Sequence, residues 1–268
     1  MNNTTFNRRK SVYHKLLASL IIGLALSLAS MTLMASGQQT QNKLRVGVDP
    51  TYPPFSSVSG SGKLQGFDID IAKALCHEIQ VQCMFVQQNW EGLIPGLQND
   101  LFDTIISSMS ITEKRRQLVA FTDMYYRTAV RYVSRKDSGF NPENIVHHKI
   151  GVMRATVASD WLVENLKDPS AIQFFSDSQA LFDAIDSGQV DAVFGDGIGF
   201  VKWLEVNGQD YEFVGDEYFL DEGIGIAVRQ EDEDLRILLN GAIQAILKNG
   251  TYAQINARYF DFDLYNVE

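Results

Sequence analysis

Two hydrophobic patterns alternate along most of the chain. Short runs in which apolar and polar residues take turns predict strands, and apolar residues three and four apart predict helices. Leu44–Val48 reads as a strand, and Asp68–Ile79 as a helix with Ile71, Leu75 and Ile79 on one face. Cys83–Val86 is a second strand, Trp90–Gln98 a short helix, and Asp103–Ile106 a buried strand. Ser107-Ser108-Met109-Ser110 follows, and a helix opens at Thr112-Glu113-Lys114-Arg115. The rhythm restarts after residue 140, with strands at Lys149–Met153, Ile172–Phe175, Asp191–Phe194 and Glu212–Val214 and helices between the first three. Gly223–Val228 is a last strand, Asp232–Lys248 a long amphipathic helix, and Gly250-Thr251-Tyr252 starts another.

This alternation predicts an α/β protein whose sheets carry helices on both faces. Two alternating blocks and a helical tail predict two lobes, assigned to residues 43–130 with 225–268, and to 131–224. No low-complexity linker separates them. The crossings are therefore expected to be ordered strands near Ala129–Ser134 and Gly223–Val228, as a hinge requires.

Residues 1–37 read as a secretory signal peptide. Arg8, Arg9, Lys10 and Lys15 precede an uncharged apolar run from Leu16 to Met34, and Ala35-Ser36-Gly37 offers a small-residue cleavage site. The run approaches bilayer-spanning length, so a retained anchor is the alternative. The whole chain has a formal charge of −10, and the leader holds four basic residues and no acid. The exported part is therefore more acidic still, a poor match for nucleic acid or anionic lipid. Only two cysteines occur, Cys76 and Cys83. In an oxidising compartment an even count favours one disulfide, with two buried thiols as the alternative. His77 is the only imidazole near them, which argues against a metal.

The densest chemistry lies where the first strand ends. Leu44–Val48 runs into Asp49-Pro50-Thr51-Tyr52-Pro53-Pro54-Phe55, and Gly66-Phe67-Asp68-Ile69-Asp70 opens the next helix. An acidic, aromatic loop at a strand end suits the presentation of side chains to a small polar ligand.

With Ser107-Ser108-Met109-Ser110-Ile111-Thr112 and Arg115, Phe194-Gly195-Asp196, and Lys248-Asn249-Gly250-Thr251-Tyr252, these segments carry a resemblance over about residues 43–266. The chain resembles the periplasmic solute-binding proteins of polar amino-acid ABC importers, and most of all the lysine/arginine/ornithine- and histidine-binding members. The Cys76/Cys83 spacing looks like the disulfide of that subgroup. The resemblance implies a two-lobed binding-protein fold with mostly parallel sheets and a two-strand hinge. It also implies a periplasmic monomer that hands an amino acid to an inner-membrane permease, with no cofactor and no metal.

The resemblance further implies roles residue by residue. Arg115 would hold the ligand carboxylate with its planar fork, helped by backbone N–H groups around Ser110 and Thr156. Asp196 would accept the α-ammonium from the second lobe, although an Asp there could equally be a helix N-cap. Ser107, Ser108 and Ser110 would add polar contacts at a strand end. Tyr52 and Trp90 would wall the ligand's side chain, with Asp49 at its distal group. One segment departs from the family pattern: Met153-Arg154-Ala155-Thr156-Val157 replaces a Gly-Ser/Thr-Thr turn, and an inward-pointing Arg154 would oppose a cationic ligand.

Two other classes share such a scaffold, a dehydratase-like periplasmic enzyme and a tethered amino-acid sensor. The histidines, His14, His77, His147 and His148, fall outside the motifs assigned to the cleft, and no Gly-x-Ser-x-Gly elbow occurs. The binding protein is the expected function.

Overall fold

The computed structural model describes residues 42–266; the leader assigned to residues 1–37 lies outside them. Among the described residues no helix is long and apolar enough to cross a membrane.

The first strand, β1 (Lys43–Val48), ends in a small three-stranded sheet of β2 (Thr51–Tyr52), β3 (Ser56–Val58) and β4 (Leu64–Gln65). Helix α1 (Phe67–Glu78) follows, starting one residue earlier than its pattern suggests. Gly66 precedes it at φ 132°, where a Cβ would collide with the Phe55 carbonyl, so only glycine permits this entry. Next come β5 (Gln82–Gln87), a 3-10 turn at Trp90–Gly92, α2 (Leu93–Gln98), β6 (Thr104–Ser110), α3 (Glu113–Arg116) and β7 (Ala120–Tyr126). The chain then enters a second sheet through β8 (Val130–Arg135), β9 (Ile150–Met153), α4 (Val157–Asn165), β10 (Ile172–Phe175), α5 (Ser178–Asp186), β11 (Ala192–Asp196), α6 (Gly197–Asn207) and β12 (Tyr211–Tyr218). It returns in β13 (Ile224–Val228) and closes with α7 (Glu233–Lys248) and α8 (Thr251–Asn256).

The two large sheets have one plan. In the first the order is β5-β1-β6-β13-β7, with β5, β1 and β6 parallel and β13 antiparallel to both its neighbours. In the second it is β10-β9-β11-β8-β12, with β10, β9 and β11 parallel and β8 antiparallel between β11 and β12. Each lobe is a sheet with an apolar cluster on both faces. Val46, Leu75, Leu239 and Ile243 fill one face of the first sheet, and Leu93, Leu97 and Phe102 the other. Val152 and Leu162 pack on one face of the second sheet, and Leu181, Ile185 and Phe200 on the other.

The chain passes between the sheets at residues 127–129 and 219–223. The strands expected to be the crossings are therefore the first strands after them: β8 belongs to the second sheet and β13 to the first. Cys76, near the end of α1, is bonded to Cys83 in β5, with Cα atoms 5.8 Å apart.

Candidate functional site

Six parallel strands, three from each lobe, aim their carboxyl ends at one cavity between the lobes. Ligands in open α/β sheets lie beyond those ends. The space between the lobes, open solvent included, amounts to about 910 Å³. Asp49, Tyr52, Trp90, Ser107, Ser108, Ser110 and Arg115 line it from the first lobe, and Thr156 and Asp196 from the second. The structure thus brings together all nine residues that the sequence singled out.

Arg115 lies in the short helix α3, whose N-cap Thr112 accepts the Arg115 backbone N–H at 3.2 Å. Its guanidinium is buried, donates to the Ser110 carbonyl at 2.9 Å and to the Ala155 carbonyl at 3.0 Å, and sits 5.2 Å from the Trp90 ring centroid. Among the described residues no carboxylate reaches it within ion-pair distance. Burial draws its pKa down to about 10, so it still carries its charge near neutral pH. A buried cation held only by neutral carbonyls has strong reason to attract an anion.

Asp196 caps α6. Its Oδ1 accepts the Ile198 N–H at 2.8 Å, the Gly199 N–H at 3.4 Å and the Thr128 hydroxyl. The capping role and a ligand role are compatible, because all three donors share Oδ1. Burial raises its pKa, and these hydrogen bonds oppose the rise. The Tyr52 hydroxyl is buried beside this carboxylate without a hydrogen bond of good geometry. It comes so close to α6 that a Cβ on Gly199 would lie 2.5 Å from it.

Asp49 is buried at the end of β1. Its Oδ1 closes a turn by accepting the Thr51 N–H at 2.9 Å and the Thr51 hydroxyl at 2.7 Å, while its own N–H donates to Ser107 Oγ at 3.0 Å. Burial raises its pKa, opposed chiefly by the Thr51 bonds. Trp90, held in its 3-10 turn by the Asn89 side chain, forms a wall. Tyr52 forms another, its ring stacked on Phe55 at 5.3 Å.

Ser108 and Thr156 have their own polar groups engaged within the protein. Ser108 has φ +52°, in a bulge where the register of β6 against β13 shifts, and its hydroxyl turns away to Asp68 Oδ2 at 2.8 Å. Bulges commonly re-aim residues next to functional sites. The Thr156 hydroxyl is also committed: it donates to the Met153 carbonyl at 2.8 Å and accepts the Ser159 N–H at 3.1 Å in a capping box. The Thr156 N–H is taken by Ser159 Oγ at 3.1 Å. What this turn can still offer the cavity is the first free N–H groups of α4, at Val157 and Ala158, both in the lining.

Arg154 does not oppose a cation. It is exposed and outside the lining, because its N–H pairs with the Phe175 carbonyl at the strand end and its side chain leaves toward solvent. Ala155, at φ +57°, aims its carbonyl back across the cleft. That oxygen accepts Trp90 Nε1 at 3.0 Å as well as Arg115. Lys114 and Asp160, 2.8 Å apart, and Ser178 with the Thr51 carbonyl add further links between the lobes.

Sequence reasoning missed Thr128 and Asp221, which line the cavity from the two crossing segments, and Ser178 at the start of α5. It also missed Asp68. This carboxylate is fully buried beneath the cavity floor, bonded to Ser108 and to the Tyr125 hydroxyl at 2.7 Å, and burial pushes its pKa up to about 7. Among the described residues no group of side chains could hold a metal ion.

Residues 44–262 match the family model of the bacterial extracellular solute-binding proteins, family 3. The chain belongs to that family. It is 38% identical over 259 residues to the L-arginine-binding protein of Pseudomonas aeruginosa, covering 92% of this chain and 97% of the relative. It is also 38% identical over 258 residues to the histidine-binding periplasmic protein of Escherichia coli, covering 92% and 98%. A solved structure of an ancestral arginine-binding protein bound to arginine superposes with a TM-score of 0.76 at 33% identity, over 83% of this chain and all of that one. For a family 3 solute-binding protein, a cavity between the carboxyl ends of two sheets is the expected place for the solute.

Proposed function

We propose that this protein binds a polar, basic amino acid outside the cytoplasm and delivers it to an ABC importer. The observation that carries this reading is one pair of opposite charges. Arg115, buried with no carboxylate in ion-pair reach among the described residues, and Asp196, whose capping donors share Oδ1, line the same cavity from opposite lobes. A zwitterion satisfies both, its carboxylate on Arg115 and the N-terminus of α4, its ammonium on Asp196. Asp49 supplies a further carboxylate for a distal cation, and Trp90 and Tyr52 flank the aliphatic or aromatic stem. The relatives named for arginine and histidine fit the same chemistry, and their names are those of binders, not enzymes.

Residues 43–130 with 225–268 form one lobe and 131–224 the other, moving about the two crossings as the solute enters and leaves. The links from Ala155, Lys114 and Ser178 then form on closure. Residues 1–37 direct export to the periplasm and are removed, and the monomer docks on an inner-membrane permease. A thermal-shift screen of the twenty amino acids tests the reading, since a ligand at 100 times its Kd stabilises by about 2.7 kcal/mol. Arginine, lysine, ornithine or histidine should raise Tm most. A shift by none of them refutes it.

A further inference from the structure

Helix α6 carries a glycine that its own backbone does not require. Gly199, in the first turn, does not have a positive φ, and alanine would favour the helix more. What excludes a side chain there comes from the other lobe. The three atoms nearest to a Cβ on Gly199 all belong to Tyr52: the hydroxyl oxygen at 2.5 Å, and ring atoms Cε2 and Cζ at 2.9 Å each. The ring has no room to retreat. It stacks on Phe55 at 5.3 Å, Phe55 stacks on Tyr126 at 5.2 Å, and both of these are fully buried.

The backbone beside this ring is held as well. The Thr51 carbonyl, in the peptide bond that leads into Tyr52, accepts the buried Ser178 hydroxyl at the start of α5. Thr51 in turn donates its N–H and its hydroxyl to Asp49 Oδ1. The strand β2 thus rests in a seat made by the starts of two second-lobe helices, α5 meeting its backbone and α6 its aromatic ring. We propose that Gly199 is a positioning residue: the space left by its missing side chain admits Tyr52 when the lobes close, and so sets the aromatic wall against the stem of the solute. A Cβ at position 199 would hold the lobes apart or displace the wall. Closure and side-chain recognition therefore meet at this contact. The inference rests on the amino-acid reading above.

The test is a double-mutant cycle read by calorimetric titration. Gly199→Ala is made in the parent and in Tyr52→Leu, whose shorter side chain ends before the atoms that meet the Cβ. The ligand is whichever of L-arginine, L-lysine, L-ornithine and L-histidine the parent binds most tightly. One methyl group forced into this contact should weaken that ligand by about tenfold or more in the parent, and by less than about threefold in Tyr52→Leu, because residues in contact couple. Ligand-free Tm is read on the same variants, and any loss that Gly199→Ala causes there should likewise disappear in Tyr52→Leu. Unchanged affinity in Gly199→Ala, or an equal loss in both backgrounds, would overturn the inference. A parent that binds none of these amino acids would instead refute the function on which it rests.

Discussion

The guanidinium of Arg115 donates to the carbonyl of Ala155 at 3.0 Å, joining a buried cation of one lobe to a turn of the other. Ala155 can present that oxygen only from the left-handed region, at φ +57°. An L-residue there costs about 1–2 kcal/mol, part of which glycine would return as lost backbone entropy. Ala155→Gly should therefore raise stability by about 0.5–1 kcal/mol in denaturant melts without weakening ligand binding. A fall in stability would show that the turn is not strained.

Asp49 is the carboxylate assigned to the ligand's far end. Asp49→Asn keeps an acceptor for the Thr51 turn and removes only the charge. It should weaken arginine and lysine by about 1–3 kcal/mol and leave glutamine nearly unchanged. Equal losses for charged and amide side chains would place Asp49 in scaffold rather than specificity.

Asp68 makes stability depend on pH. Its folded pKa is pushed up to about 7 by burial, against about 4 for an unfolded Asp. Between these values the folded state holds more protons than the unfolded state, so the contribution of Asp68 falls as pH rises from about 4 to 7. Burial also raises Asp49, Asp196 and Asp221, which act in the same direction. Asp68→Asn still bonds Ser108 and Tyr125 but cannot ionise. Its stability relative to the parent should rise between pH 5 and 7 by about 2–3 kcal/mol. Parallel curves for the two proteins would refute the assignment.

The sheet strands were legible where alternation ran for four residues or more, as at Leu44–Val48 and Ile172–Phe175. The strands β2 to β4, two or three residues each, leave no period to read. The conformation of Ser108 was also hidden, because a bulge depends on the partner strand β13, over a hundred residues away. Asp68 looked like a first-turn helix acid; its burial is decided by Tyr125, which lies 57 positions along the chain. Thr128 and Asp221 escaped notice because they sit in the crossings, outside any strand-end motif. Arg115 and Asp196 each follow a strand end at a helix start, but the roles expected of them come from the family resemblance, since that position alone equally fits a helix N-cap for Asp196.

The Cys76–Cys83 disulfide closes a seven-residue separation within the first lobe, remote from the lining. Loop-closure entropy gives it about 2–3 kcal/mol. Cys76→Ala/Cys83→Ala should lose about that much stability and keep the affinity of the parent. A large change in affinity would mean that the bond shapes the cleft.

In the proposed function one buried guanidinium, that of Arg115, receives the carboxylate of every ligand. Isothermal titration of Arg115→Ala with arginine, lysine, histidine and glutamine tests it most directly, beside the parent protein. Removing one partner of a buried pair costs about 3–5 kcal/mol, so Arg115→Ala should lose measurable binding of all four. Parent-like affinity in Arg115→Ala for any ligand that the parent binds would contradict it.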